Sequence, residues 1–425
     1  MLAITCVLTA LGMVVLNTAI ANVALPSIAV SLGIPPGMSV WVITAYQMAL
    51  LMALLPCAAL GESLGYRRVF VLGVMVFTAA TMLCSLASLP WLLAARFVQG
   101  LGGAAVMALG VALLRSVVAP EQLGAAIGWN AMAVALSSAA GPAIGAVVLS
   151  VTTWPWLFAL QLPLGVFVLL TTRSLPDNQG TASRVDLLSM ALNVGMFGTL
   201  VFTVDVFIDR PILAGALLAV SGLQLVALVK REMPKKAPLI PIDLLRSRSF
   251  SLSVMASVLC FAGQAAALVA LPFYLLRNLE QSALMTGLYM VPWPLSVAIA
   301  APFSRRLADR YSAGLICFSG GLLLAVGLGA TSLWPLRDAA YLLIPFTMLC
   351  GLGFSLFNAA NNRNLFLSAP IERSGAAGGM QGTARLLGQT AGAVIMSLIF
   401  ILAATAAAPR IGFGLGAFWL YSRRY

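Results

Sequence analysis

Leu92-Leu93-Ala94-Ala95-Arg96-Phe97-Val98-Gln99-Gly100-Leu101-Gly102-Gly103-Ala104-Ala105 is the stretch whose reading decides the fold. One guanidinium and one amide stand inside an apolar run reaching from about 91 to 114. That length matches the roughly 20 residues a helix needs to cross a hydrocarbon core of about 30 Å. A charge at such depth costs a few kcal/mol or more, so Arg96 must face the protein interior or an aqueous path. It is either a functional group or half of a buried structural pair. Gly100, Gly102 and Gly103 leave room for a neighbouring backbone to approach closely.

The same pattern recurs along the chain. Apolar runs lie near 3–25, 39–60, 69–88, 91–114, 123–150, 155–172, 187–206, 211–229, 250–274, 285–303, 313–332, 339–361 and 376–408, with a short last one at 411–422. Of the 425 residues, 61% are hydrophobic and 8% charged, against about 25% charged in soluble domains. The longest polar stretch, Lys230 to Phe250, leaves no room for a separate soluble domain. The first run lacks a basic start and is too long for a cleaved leader, so it reads as the first span.

The net charge of +12 points to membrane topology, because the basic residues sit in short loops between apolar runs. With the N-terminus inside, only Arg210, Arg277, Arg337 and Arg410 fall on the outer side. Arg96 and Arg385 lie within spans, and the other Lys and Arg residues all fall inside. No aromatic–basic surface for nucleic acid is evident. The six cysteines lie in apolar runs, form no Cys-x-x-Cys pair and have no histidine beside them, so no metal or other cofactor is expected. No paired carboxylates, nucleophile–base set or phosphate loop suggests an enzyme.

Further polar and proline positions carry the functional expectations. Asn17 and Asn22 place two amides in span 1, for interhelical hydrogen bonding or a cavity wall. Span 5 has a small-residue face of Gly128, Gly141 and Gly145, broken by Pro142. Glu62, Gly65, Arg67 and Arg68 after span 2 are echoed by Asp309 and Arg310 after span 10. That echo fits two six-span halves with two extra helices between them, an arrangement typical of secondary transporters. The expected domains are an N-terminal six-helix bundle at 1–172, the extra pair with a basic loop at 173–249, and a C-terminal bundle at 250–425. Asp205 is the one acid inside a span, and Trp41, Tyr46, Gln47, Trp129, Asn130, Gln264, Tyr289 and Arg385 are candidate cavity residues.

These motifs resemble the major facilitator superfamily, and within it the fourteen-span drug:proton antiporters of the QacA/EmrB type. Four stretches in order carry the resemblance: Leu16–Pro26; Leu60-Gly61-Glu62 with Gly65, Arg67 and Arg68; Arg96 with Gln99, Gly100, Gly102 and Gly103; and Gly128, Gly141, Pro142 and Gly145. The resemblance implies an all-α multi-pass membrane protein of two rocking six-helix bundles around a central cavity, with two extra central helices and a last helix that is short or truncated. It assigns Arg96 to proton coupling, the loop after span 2 to the outward-facing state and span 5 to the leak seal. Asn17 departs from the family by standing where an acid is common, and an amide does not titrate.

The expected function is export of amphipathic small molecules, driven by the proton gradient, by a monomer in the inner membrane with its N-terminus cytoplasmic. The alternatives are an uncoupled or differently driven carrier of a neutral or anionic amphiphile, a membrane sensor, or an inactive truncated transporter.

Overall fold

The computed structural model describes residues 2–85, 88–119, 122–177, 180, 186–207, 210–234, 242–334, 336, 339–370, 373–403 and 407–421. Among them every regular element is helical, and twelve helical segments are long and apolar enough to cross a membrane. A lipid-exposed chain has little choice, since only a helix satisfies its backbone donors and acceptors within one segment.

The helices are α1 (Leu2–Ser31), α2 (Pro36–Leu64), α3 (Tyr66–Leu83), α4 (Leu89–Val117), α5 (Leu123–Val151), α6 (Pro155–Ala159) and α7 (Leu162–Thr171). After them come α8 (Leu187–Asp205), α9 (Pro211–Glu232), the short α10 (Ile242–Leu245) and α11 (Arg248–Phe273), which runs into a π-helical turn at Tyr274–Asn278. The remainder are α12 (Ala283–Met290), α13 (Pro292–Arg310), α14 (Ala313–Leu333), α15 (Leu343–Leu367), α16 (Ser374–Leu402) and α17 (Ala408–Tyr421).

Two runs that read as unbroken spans are interrupted. The run at 155–172 breaks around Leu160 and Gln161, where Pro163 opens α7. The run at 285–303 breaks at Val291, ahead of Pro292 and Pro294 in α13. Proline removes a backbone donor and restricts the residue before it, and each break lies beside one, whereas α5 runs unbroken through Pro142, where the sequence suggested a break. Two runs give shorter apolar helices: α8 has an apolar window of Leu187–Thr203, and α17 has 14 residues.

The chain forms two compact units. One comprises Met1–Asn17, Thr44–Val134 and Phe158–Asp243; the other comprises Thr18–Ile43, Ala135–Leu157 and Leu244–Tyr425. In the first, α4 is wedged between α2 and α3 through its glycines. A Cβ at Gly100 would run into the Tyr46 carbonyl oxygen of α2, and one at Gly102 would lie 2.5 Å from Phe77 N and 2.6 Å from Gly73 O of α3. In the second unit, α15 repeats the device. A Cβ at Gly351 would strike Ser296 and the Trp293 carbonyl of α13, and one at Gly353 would lie 2.5 Å from both Gly320 O and Leu324 N of α14. Gly100-Leu101-Gly102 and Gly351-Leu352-Gly353 are thus the same packing element used twice. Arg96 precedes the first; Thr347 holds the matching place before the second.

Candidate functional site

Arg96 is fully buried on the face of α4 that also carries Leu92, Gln99 and Gly103. Its Nη1 donates to Asn17 Oδ1 of α1 and, at 2.5 Å, to Gln99 Oε1. Gln99 Nε2 donates to Thr81 Oγ1 of α3 at 2.7 Å, and the Thr81 hydroxyl donates to the Phe77 carbonyl at 2.7 Å. Asn17 Nδ2 donates to Gln161 Oε1 at 3.1 Å, and Cys84 Sγ lies 3.7 Å from Gln99 Oε1. The guanidinium carbon sits 4.3 Å from the Tyr46 ring centroid and 5.4 Å from that of Phe158. Tyr46 is held in turn by its hydroxyl, which donates to the Val14 carbonyl at 3.4 Å.

These partners are amides, a hydroxyl, a thiol and two aromatic faces. Amide dipoles and ring quadrupoles stabilise a buried cation. The cluster sets the Arg96 guanidinium within a polar network that joins α1, α3, α4 and the break before α7.

The structure brings together Arg96, Asn17, Gln99 and Tyr46 from among the residues the sequence singled out. Asn22 is elsewhere: its Nδ2 donates to the Thr18 carbonyl of its own helix at 3.1 Å. The side chain of Asp205 lies outside the described residues. Gln47 is buried, and its Oε1 has no hydrogen-bond partner among the described residues. Trp41, Asn130, Gln264, Tyr289 and Arg385 are half-buried, while Trp129 is 57% exposed.

Sequence reading missed Gln161, Thr81, Cys84 and Phe158. Gln161 had a usable signal, since it is the one amide in its apolar run. It also missed Glu232, assigned to a polar loop. That carboxylate is fully buried at the end of α9 and accepts from Ser189 Oγ at 2.5 Å.

The sequence profile described as Major Facilitator Superfamily matches residues 7–393. The chain belongs to the major facilitator superfamily. It is 43% identical over 403 residues to the uncharacterized transporter YebQ of Escherichia coli (strain K12), covering 93% of this chain and 88% of that one. It is 28% identical to the riboflavin transporter RibZ of Clostridioides difficile (strain 630), over 91% of this chain and 85% of RibZ. It is 29% identical to the multidrug resistance protein Stp of Mycobacterium tuberculosis (strain CDC 1551 / Oshkosh), over 93% of this chain and 75% of Stp. The chain is accordingly a multi-pass membrane transporter.

The other motifs of this major facilitator superfamily member also take definite places. Between α2 and α3, Gly65 adopts φ 100°, a conformation that costs a side-chain-bearing residue dearly. Glu62 and Arg68 are exposed, and Arg67 lies 4.0 Å from Asp177. Asp309, at the end of α13, accepts from Arg363 Nε of α15 at 3.1 Å, and Arg310 is exposed. Within the second unit, a Cβ at Gly141 would collide with Ala19 of α1, and one at Gly145 would lie 3.3 Å from Val23. The other side of that α5 turn receives Gly287 of α12, whose Cβ would meet Ala146 and lie 2.6 Å from the Pro142 carbonyl oxygen. Gly128 has nothing within 4 Å and takes no part in this seam.

Proposed function

We propose that this chain is a secondary active transporter that exports amphipathic small molecules across the inner membrane in exchange for protons. The observation that carries the reading is Arg96, a fully buried cation inside a span with a purpose-built shell of amides and rings. An intramembrane ionisable group of this kind is expensive to place and marks a transport path. The resemblance to a multidrug resistance protein over nearly the whole chain supports the substrate class. In this reading α8 and α9 are the extra pair of a fourteen-span arrangement, and the N-terminus is cytoplasmic. The seam of α1, α5 and α12 then lies at the outer end, where it acts as the leak seal between inward- and outward-facing states. The protein acts as a monomer without a cofactor.

A specific observation favours a second reading, an uncoupled or differently driven carrier of a neutral or anionic amphiphile. The group facing Arg96 from α1 is Asn17, which does not titrate, and one relative is a riboflavin transporter.

Efflux of a fluorescent lipophilic cation from energised cells, with and without a protonophore, separates the two. Efflux that collapses with the proton gradient supports exchange for protons. No efflux from protein shown to be inserted moves the assignment to the second reading.

A further inference from the structure

α2 contains Pro56, which has no amide hydrogen. The carbonyl four residues earlier, that of Met52, therefore lacks its in-helix donor. In an apolar surrounding such a bare carbonyl is costly. Asn193 of α8 fills the gap: its Nδ2 donates to Met52 O at 3.0 Å, and the whole residue is buried. The Oδ1 of the same amide is buried with no partner among the described residues, so the donor end alone is used. One and a half turns further along α8, a Cβ at Gly198 would lie 3.1 Å from the Met52 Cε, so α8 lies directly on α2 here.

α8 is itself tied to α9 along its length. Arg231 grips Asp186 with two bonds of 3.0 and 3.1 Å, Thr199 Oγ1 donates to Gln224 Oε1 at 3.1 Å, and Ser221 Oγ donates to the Met196 carbonyl at 3.0 Å. We infer that Asn193 replaces the hydrogen bond that Pro56 removes, so that the α8–α9 hairpin splints α2 at its proline. α2 also carries Tyr46, whose ring covers Arg96. Asn193 is thus a positioning residue for α2, and α8 and α9 lie in the same compact unit as the Arg96 cluster. The inference concerns the geometry of α2 and holds whatever the substrate or driving force.

The test uses the purified full-length protein and a cycle of Asn193→Leu, Pro56→Ala and the double variant, read by hydrogen–deuterium exchange along α2. Asn193→Leu is expected to speed exchange in the turn around Met52 and Pro56 by roughly three- to tenfold, the size of one interhelical hydrogen bond in a membrane protein. Pro56→Ala restores the missing amide hydrogen. In that background Asn193→Leu is expected to change exchange by less than about twofold. Unchanged exchange in Asn193→Leu, or the same increase in both backgrounds, overturns the inference. If Asn193→Leu alone fails to fold, adding Pro56→Ala is expected to recover folded protein, and failure in both backgrounds overturns it equally.

Discussion

Replacing Asn17 by leucine strikes the Arg96 cluster at the residue that joins its two halves. Asn17 accepts from Arg96 Nη1 and donates to Gln161 Oε1, and it is fully buried. Leucine has the same branching and is apolar, so the variant removes both bonds, although its methyl groups are bulkier than the amide. A buried neutral acceptor left bare costs about 1–3 kcal/mol. Removing a partner from a buried charge costs about 3–5 kcal/mol when nothing else remains. Arg96 keeps Gln99 and the Tyr46 face, so the combined loss is expected near 3 kcal/mol, below the sum of those figures. At about 2.1 cal/mol/K per residue over 425 residues, that corresponds to a fall of roughly 3 °C in the midpoint of thermal unfolding in detergent. Asn17→Asp is the control. It loses the donor to Gln161 but keeps an acceptor for Arg96 and makes that bond charge-assisted, so its midpoint is expected within about 1 °C of the parent. A leucine variant as stable as the parent, with transport intact, would refute the view that the cluster is a connected polar network.

Arg96→Ala is expected to reduce export to background while membrane insertion stays normal, as checked by efflux beside immunodetection in isolated membranes; unchanged export would remove Arg96 from the transport path. Asp205→Asn is expected to lower proton uptake coupled to efflux if that acid carries the proton, and parental uptake excludes it. Gly102→Val should cost several kcal/mol, because its branched side chain would enter space that Phe77 N and Gly73 O already occupy at 2.5 and 2.6 Å. Gly128→Ala, with nothing within 4 Å, should be neutral or gain up to about 1 kcal/mol of helix propensity, and the contrast is read as the yield of folded protein.

Much of this molecule was legible from the residues alone, for a physical reason. Crossing a membrane is a local requirement, met one segment at a time by length and apolarity, so the helical class and most span positions follow from the runs themselves. Arg96 announced itself in the same way, since a cation in such a run has few tolerable surroundings. The helix breaks at Val291 and around Leu160 and Gln161 were also local. The prolines that cause them are plain in the sequence, but the strong hydropathy on either side masked them.

Contacts between distant segments were decided only by the tertiary structure. Asn17 and Asn22 look equivalent in sequence, yet helix rotation turns Asn17 into the Arg96 cluster and leaves Asn22 bonded to its own backbone. Gln161 meets Asn17 across 144 positions of chain, and Asn193 finds the carbonyl beside Pro56 across 141. Which amide satisfies which buried group depends on how whole helices pack, and that packing is set by glycines such as Gly100 and Gly102 acting on neighbours far away in the chain. Sequence by itself determined that the charge is in the membrane; the fold decided what surrounds it, because pairing in an apolar medium is a property of adjacent helices and not of any one of them.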